Sequence, residues 1–198
     1  MSIWQELIRR RGKTDPSLLE KRTMLVNILL VLIAIAALLL IVSATRPNTF
    51  QLERSVLIMA PPERIYPLIA SVREMSRWNP FEAQDPALNR QYSAVESGPS
   101  SAIDFVGRKA GTGRLEVREA VPPSRVTMQL IMQKPLAASN RIDFSLLPQG
   151  GATQVTWAMN GPVSLFGRVL HLVINMDRML GGQFESGLAS LKALAERR

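Results

Sequence analysis

Residues 140–160 read NRIDFSLLPQGGATQVTWAMN, and the fold turns on how this stretch is read. Ile142, Phe144 and Leu146 alternate with polar neighbours, as do Val155, Trp157 and Met159 further on. A period of two puts each set on one face of a strand. PQGG between them is a hairpin turn, and a connection that short forces antiparallel pairing. Beyond Gly161-Pro162 the period changes. Leu165, Val169, Leu172, Val173, Met176, Met179 and Leu180 recur at three and four, and Phe184, Leu188, Leu191 and Leu194 continue a similar stripe. That spacing predicts one long C-terminal helix, with Gly181-Gly182 as the place for a bend.

Upstream, the alternation repeats. RVTMQLIM puts Val126, Met128, Leu130 and Met132 in phase, RLEVREAV does so for Leu115 and Val117, and SAIDFVG for Ile103 and Phe105. Tyr92 lies in a short strand that ends near Ser97-Gly98-Pro99, and QLERSVLIMA carries Leu52, Val56 and Ile58 on one face. Ala60-Pro61-Pro62-Glu63 opens a helix, because proline suits a first turn and Glu63 its positive end. This helix carries Ile65, Leu68 and Ile69 inward and fades near Arg73. In SRWNPFEAQDP, residues 76–86, Pro80 and Pro86 prevent any regular element from running far. Trp78 and Phe81 therefore either line the rim of a cavity or seal the core.

The order is thus α+β: a strand, helical segments, about six more strands and a long helix. An antiparallel sheet with one apolar face must be covered, and only the terminal helix is large enough. A curved sheet gripping a helix leaves space between them, which is a ready pocket.

The composition narrows the chemistry. There are no cysteines, which removes disulfides and thiolate sites, and the single His171 argues against zinc. No cofactor is expected. The net charge of +8 is spread out. Residues 1–23 hold six basic and three acidic residues, and 47–198 hold seventeen and thirteen, interspersed. No clustered basic face with aromatics is legible, so nucleic acid is not an expected partner. Protein partners are not legible either.

MLVNILLVLIAIAALLLIVSA, residues 24–44, is uncharged and long enough to cross a bilayer. Val42-Ser43-Ala44 resembles a cleavage site, but the apolar run exceeds a signal-peptide core and 23 residues precede it. The reading is an uncleaved anchor. The six Lys/Arg before it, against Arg46, Arg54 and Arg64 after it, place the N-terminus in the cytoplasm and the rest outside. Ile3, Trp4, Leu7 and Ile8 fall on one side of a short amphipathic helix or belong to a disordered tail. The expected organisation is a basic cytoplasmic tail (1–23), a transmembrane helix (24–44) and a folded domain (47–198).

Four stretches carry a resemblance: ERSVLIMAPPERIYPLI (53–69), WNPFEAQDP (78–86), GTGRLEVREAVPPSRV (111–126) and DRMLGGQFESGLASLKALAE (177–196). Together they resemble the bacterial polyketide cyclase/dehydrase and lipid transport proteins, also called the SRPBCC family. These belong to the helix-grip superfamily of START domains and the birch-pollen allergen. The resemblance implies a helix-grip fold, with about seven antiparallel strands curved around the C-terminal helix and a hydrophobic cavity between.

The inward phases then supply a candidate ligand cavity. Tyr92, Phe105, Met128, Asn140, Phe144 and Trp157 come from the strands, Met176, Met179 and Phe184 from the last helix, and Trp78 and Phe81 from the rim. Glu119 shares the phase of Leu115, Val117 and Val121 in RLEVREAV. Either it is a carboxylate on an apolar face, where it serves as a weak candidate general base, or a bulge before the VPPS turn rotates it into water. Three functions compete: a membrane-anchored module binding a lipid, quinone or polyketide-like molecule; a cyclase/dehydrase- or hydrolase-type enzyme using the same cavity; and an interaction domain with a filled cavity. The first is favoured, because apolar inward groups are many and candidate catalysts few.

Overall fold

The computed structural model describes residues 16–44, 48–163, 167 and 176–197. Leu165, Val169, His171, Leu172 and Val173, and the N-terminal residues Ile3 to Ile8, lie outside the described residues. Contacts divide the chain into a unit ending at Arg46 and one beginning at Pro47.

In the first unit, helix α1 (Pro16–Ala44) begins eight residues before the expected apolar span, with proline in its first turn, where no intrahelical N–H is needed. Within it, Glu20–Val42 is one helix long and apolar enough to cross a membrane. At 1.5 Å per residue those 23 residues reach about 34 Å, against a hydrocarbon thickness of about 30 Å.

The second unit runs β1 (Thr49–Ile58), α2 (Pro62–Ala70), α3 (Val72–Met75), α4 (Pro80–Ala83), β2 (Asn89–Tyr92), β3 (Ala102–Val106), β4 (Thr112–Val121), β5 (Arg125–Lys134), β6 (Ala138–Gln149), β7 (Ala152–Pro162) and α5 (Met176–Ala195). The seven strands form one sheet, in the order β1-β7-β6-β5-β4-β3-β2, and every pair is antiparallel. This is the helix-grip architecture. The opening hairpin pairs Phe144 with Trp157 and Ile142 with Met159, so both sets point to one face.

Three local readings change. Helix α2 stops at Ala70 because Ser71 is extended (φ −108°, ψ 118°), and Ser71 Oγ then accepts the amide of Glu74 to start α3. The segment after it holds one further helical turn, α4, which Asn79 caps through its side chain and Pro80 opens. Helix α5 runs unbroken through Gly181-Gly182. Gly181 serves proximity instead: a Cβ there would strike the guanidinium of Arg54. From that position Arg54 bonds Asp177 at 3.0 Å and Glu185 at 2.8 Å, joining β1 to α5.

Candidate ligand cavity

The space between sheet and helix is not uniform along the strands. Toward the β4–β5 turn it is packed solid. Val117, Val126, Met128 and Phe144 are buried together with Ile65 and Ile69 of α2. Toward the other end of the same strands the side chains stand apart around an apolar cavity of about 260 Å³. Ile103 and Phe105 of β3, Leu115 of β4, Leu130 and Met132 of β5, Ile142 of β6 and Met159 of β7 form its sheet wall. Leu180 and Phe184 of α5 form the opposite wall, and Met75, Phe81 and Leu88 close one side.

Trp157 marks the boundary between the two halves. Its indole stacks on Phe184 with centroids 4.0 Å apart and lies 5.2 Å from Phe144. Gly187 lets α5 come this close, since a Cβ there would sit 2.9 Å from Trp157 Cζ3 and 2.8 Å from Pro80 Cδ. Phe81 and Trp78, although three residues apart, take different roles. Trp78 is buried, donates its Nε1–H to Leu68 O at 2.8 Å and meets Phe144 and Trp157 edge-on. It seals the core. Phe81 sits on the one-turn helix α4, half-buried, and lines the cavity beside Phe184 at 6.5 Å.

The structure therefore brings Phe81, Phe105, Asn140, Trp157 and Phe184 together around the cavity. Met128 and Phe144 belong to the packed half instead, because their strand positions face α2 and the core aromatics. Tyr92 turns to the side: Arg73 covers its ring at 4.4 Å and its hydroxyl bonds Ser76 at 3.3 Å. The side chains of Met176 and Met179 lie outside the described residues.

Glu119 is displaced by a bulge. Val117 pairs with Met128 but Glu119 pairs with Thr127, so Arg118 is the extra residue and the phase reverses. Ala120 then packs against the core, while Val121 and Glu119 are exposed. Glu119 bonds Arg125 at 2.7 Å. It faces water, and the general-base reading goes with it.

The polar groups that do line the cavity come from elsewhere. Asn140 is 8% exposed, and its Oδ1 has no hydrogen-bond partner among the described residues; Trp157 Nε1 is likewise buried without one. A buried polar atom left unpaired costs about 1–3 kcal/mol. Glu82, also 8% exposed, accepts from Arg90 Nε at 2.7 Å and from Asn79 Nδ2 at 3.4 Å. Glu82 and Asn79 carry no signal in the sequence, because a one-turn helix has no period to read. The rim beside them is fixed by Asp85, whose Oδ2 accepts the backbone amides of Lys109 at 2.8 Å and Ala110 at 3.2 Å. These bonds hold its carboxyl below the usual aspartate range.

No curated protein matches the chain. Among solved structures, a protein of Chromobacterium violaceum superposes with a TM-score of 0.54 at 18% identity, covering 77% of this chain and 100% of that one. The Aha1 dimer of Colwellia psychrerythraea gives 0.53 at 18%, covering 74% and 96%. The structure titled Ara h 8.0201 gives 0.52 at 7%, covering 74% and 97%. At these identities the likeness is one of fold. The sequence profile described as polyketide cyclase / dehydrase and lipid transport matches residues 49–196, which is the whole of the folded unit from β1 to the end of α5. The chain belongs to that family.

Proposed function

We propose that this domain binds a compact apolar molecule in the cavity, and that the N-terminal helix tethers it to a membrane. One observation carries the reading: an apolar-walled cavity of about 260 Å³ between sheet and helix that has only a few polar residues, Asn79, Glu82 and Asn140, among its described lining. A few polar groups in an apolar pocket are what orients a ligand. These three polar residues of the wall would orient a molecule carrying a hydroxyl or carbonyl. The volume of about 260 Å³ exceeds the roughly 150 Å³ that holds benzene and falls just below the roughly 300–1,000 Å³ of drug-sized ligand pockets. A quinone ring or a small polyketide-like compound suits it better than a whole two-chain lipid.

The tether rests on the length and composition of α1, and its orientation on the basic residues before it, which favour a cytoplasmic N-terminus and an extracytoplasmic domain at a bacterial inner membrane. An enzymatic reading keeps one foothold. Glu82 is the acidic side chain among the described residues of the cavity wall, with Arg90 on one oxygen and Asn79 on the other, and it is the residue there that acid–base chemistry would call on.

Mass spectrometry of apolar molecules that co-purify with the chain tests the binding reading, followed by melting with and without the compound found. A ligand bound to the folded state alone raises the melting temperature. An empty protein whose melting no quinone, lipid or aromatic compound shifts would leave a structural domain.

A further inference from the structure

The register of the sheet places the chain's entry into the domain at the same end as the cavity. Thr49, the first residue of β1, pairs with Pro162, the last of β7. Met132 pairs with Ala138 and Thr112 with Lys134, so the β5–β6 connection lies at that end. Val106 pairs with Thr112, which puts the β3–β4 connection beside it. The opposite end holds Leu57 and Leu147, both registered on Gln154.

The two connections at the cavity end share a composition. Residues 106–111 read VGRKAG and 133–138 read QKPLAA. Arg108, Lys109 and Lys134 are exposed and form no ion pair among the described residues, and neither stretch contains an acid. Beside them Val106 is 57% and Leu136 54% exposed. The nearby acids are engaged: Asp85 by the amides of Lys109 and Ala110, Glu82 by Arg90. The opposite end mixes signs. Glu63 and Arg64 lie in the first turn of α2, and Glu119 and Arg125 pair beside the β4–β5 turn. Lys192 donates to Leu57 O and Glu196 accepts from Met59 N at the end of β1. Unpaired basic side chains around exposed apolar ones suit an anionic lipid surface, where cations near the surface are attracted to the lipid charge and the apolar groups enter the interface.

We infer that this end of the domain docks on the anionic surface of a membrane, with Leu136 and Val106 entering the interface and Arg108, Lys109 and Lys134 meeting lipid phosphates. Chain length makes the encounter intramolecular. Four residues separate Ala44, which ends α1, from Thr49, and four residues extend to about 14 Å at most. The cavity lies at the docking end: Ala110 of one connection and Met132, just before the other, are in its wall. An apolar ligand would then exchange with the bilayer without crossing water. The inference rests on the proposed tether and adds to it a face and a lipid class.

The chain's lack of cysteine allows single labels. Leu136→Cys and Leu147→Cys, the second at a residue 60% exposed on the opposite end, would each carry an environment-sensitive fluorophore on the full chain. Both would be reconstituted in nanodiscs of phosphatidylcholine alone and of phosphatidylcholine with phosphatidylglycerol. The expected result is a blue shift at position 136 only with phosphatidylglycerol, reversed by high salt and absent in Arg108→Glu/Lys109→Glu/Lys134→Glu. No shift at 136, an equal shift at 147, or a shift indifferent to phosphatidylglycerol would overturn the docking while leaving the tether standing. A chain that fails to enter nanodiscs at all would sink the tether itself. If the triple variant misfolds, the comparison of lipids on the other two labels still decides.

Discussion

Trp157 of β7 and Phe184 of α5 stack face to face, with ring centroids 4.0 Å apart and planes 13° from parallel. The stack ties the sheet to its helix at the point where a packed core gives way to a cavity. Behind it lie Phe144 and Trp78; in front of it lie Leu180, Met132 and Phe105. The two sides should respond differently to the same substitutions.

Met128→Ala removes a fully buried side chain from the packed half, and should cost about 2–5 kcal/mol. Met132→Ala, at a half-buried position on the cavity wall of the same strand, should cost clearly less, because the removed atoms have fewer neighbours. Denaturant titration of both variants checks this, and equal losses would mean that the cavity is closed in solution.

Asn140→Leu and Trp157→Phe each delete a buried polar group that has no partner. Asn140→Leu should not lower the stability of the empty protein by the amount expected for a lost hydrogen bond, since Oδ1 makes none. Trp157→Phe also removes buried ring atoms stacked on Phe184 and should add a packing loss. Asn140→Leu should weaken the melting-temperature shift produced by a hydroxyl- or carbonyl-bearing ligand, because it removes a polar residue from the cavity wall. Calorimetric titration against a ligand lacking that group supplies the control.

Glu119→Gln alters an exposed pair with Arg125. Stability should change by no more than about 0.5 kcal/mol and ligand binding should stay as it was. Glu82→Gln breaks a buried pair at the cavity and should disturb binding. If the family's chemistry operates here, turnover should fail in this variant while Glu119→Gln keeps it.

Asp85 gives the rim a pH dependence. The amides of Lys109 and Ala110 depress its pKa on folding, so the stabilisation is present above the unfolded value of about 3.9 and is lost as pH falls through the lower folded one. Carboxyl chemical-shift titration should place Asp85 below an ordinary aspartate. Asp85→Ala should speed hydrogen exchange at Lys109 and Ala110 at neutral pH, where the native protein protects them.

The tether predicts that the chain stays with membranes through a high-salt wash, because burial of an apolar span does not depend on charge. A reporter active only outside the cytoplasm, fused after Arg198, should be active. A mature N-terminus at Thr45 would identify a cleaved signal instead.

Much of this protein was legible in one dimension, and the reason is periodicity. Alternation at Ile142, Phe144 and Leu146, and its switch to helical spacing near Leu180 and Leu188, follow from backbone geometry that every residue shares. The antiparallel order followed from hairpins too short for any other connection. What needed three dimensions was everything that departs from a period. A single extra residue at Arg118 turned Glu119 from the apolar face to water, and no local residue type announces such a bulge. Met128 and Met132 share a phase, yet one is packed and the other borders a void, because α2 covers only part of the sheet. Glu82 reached the cavity on a helix of one turn, and Trp78 left it for the core from three residues before Phe81. Phase fixes which face a side chain points to; how far the opposite layer stands from that face is set by packing between segments distant in sequence.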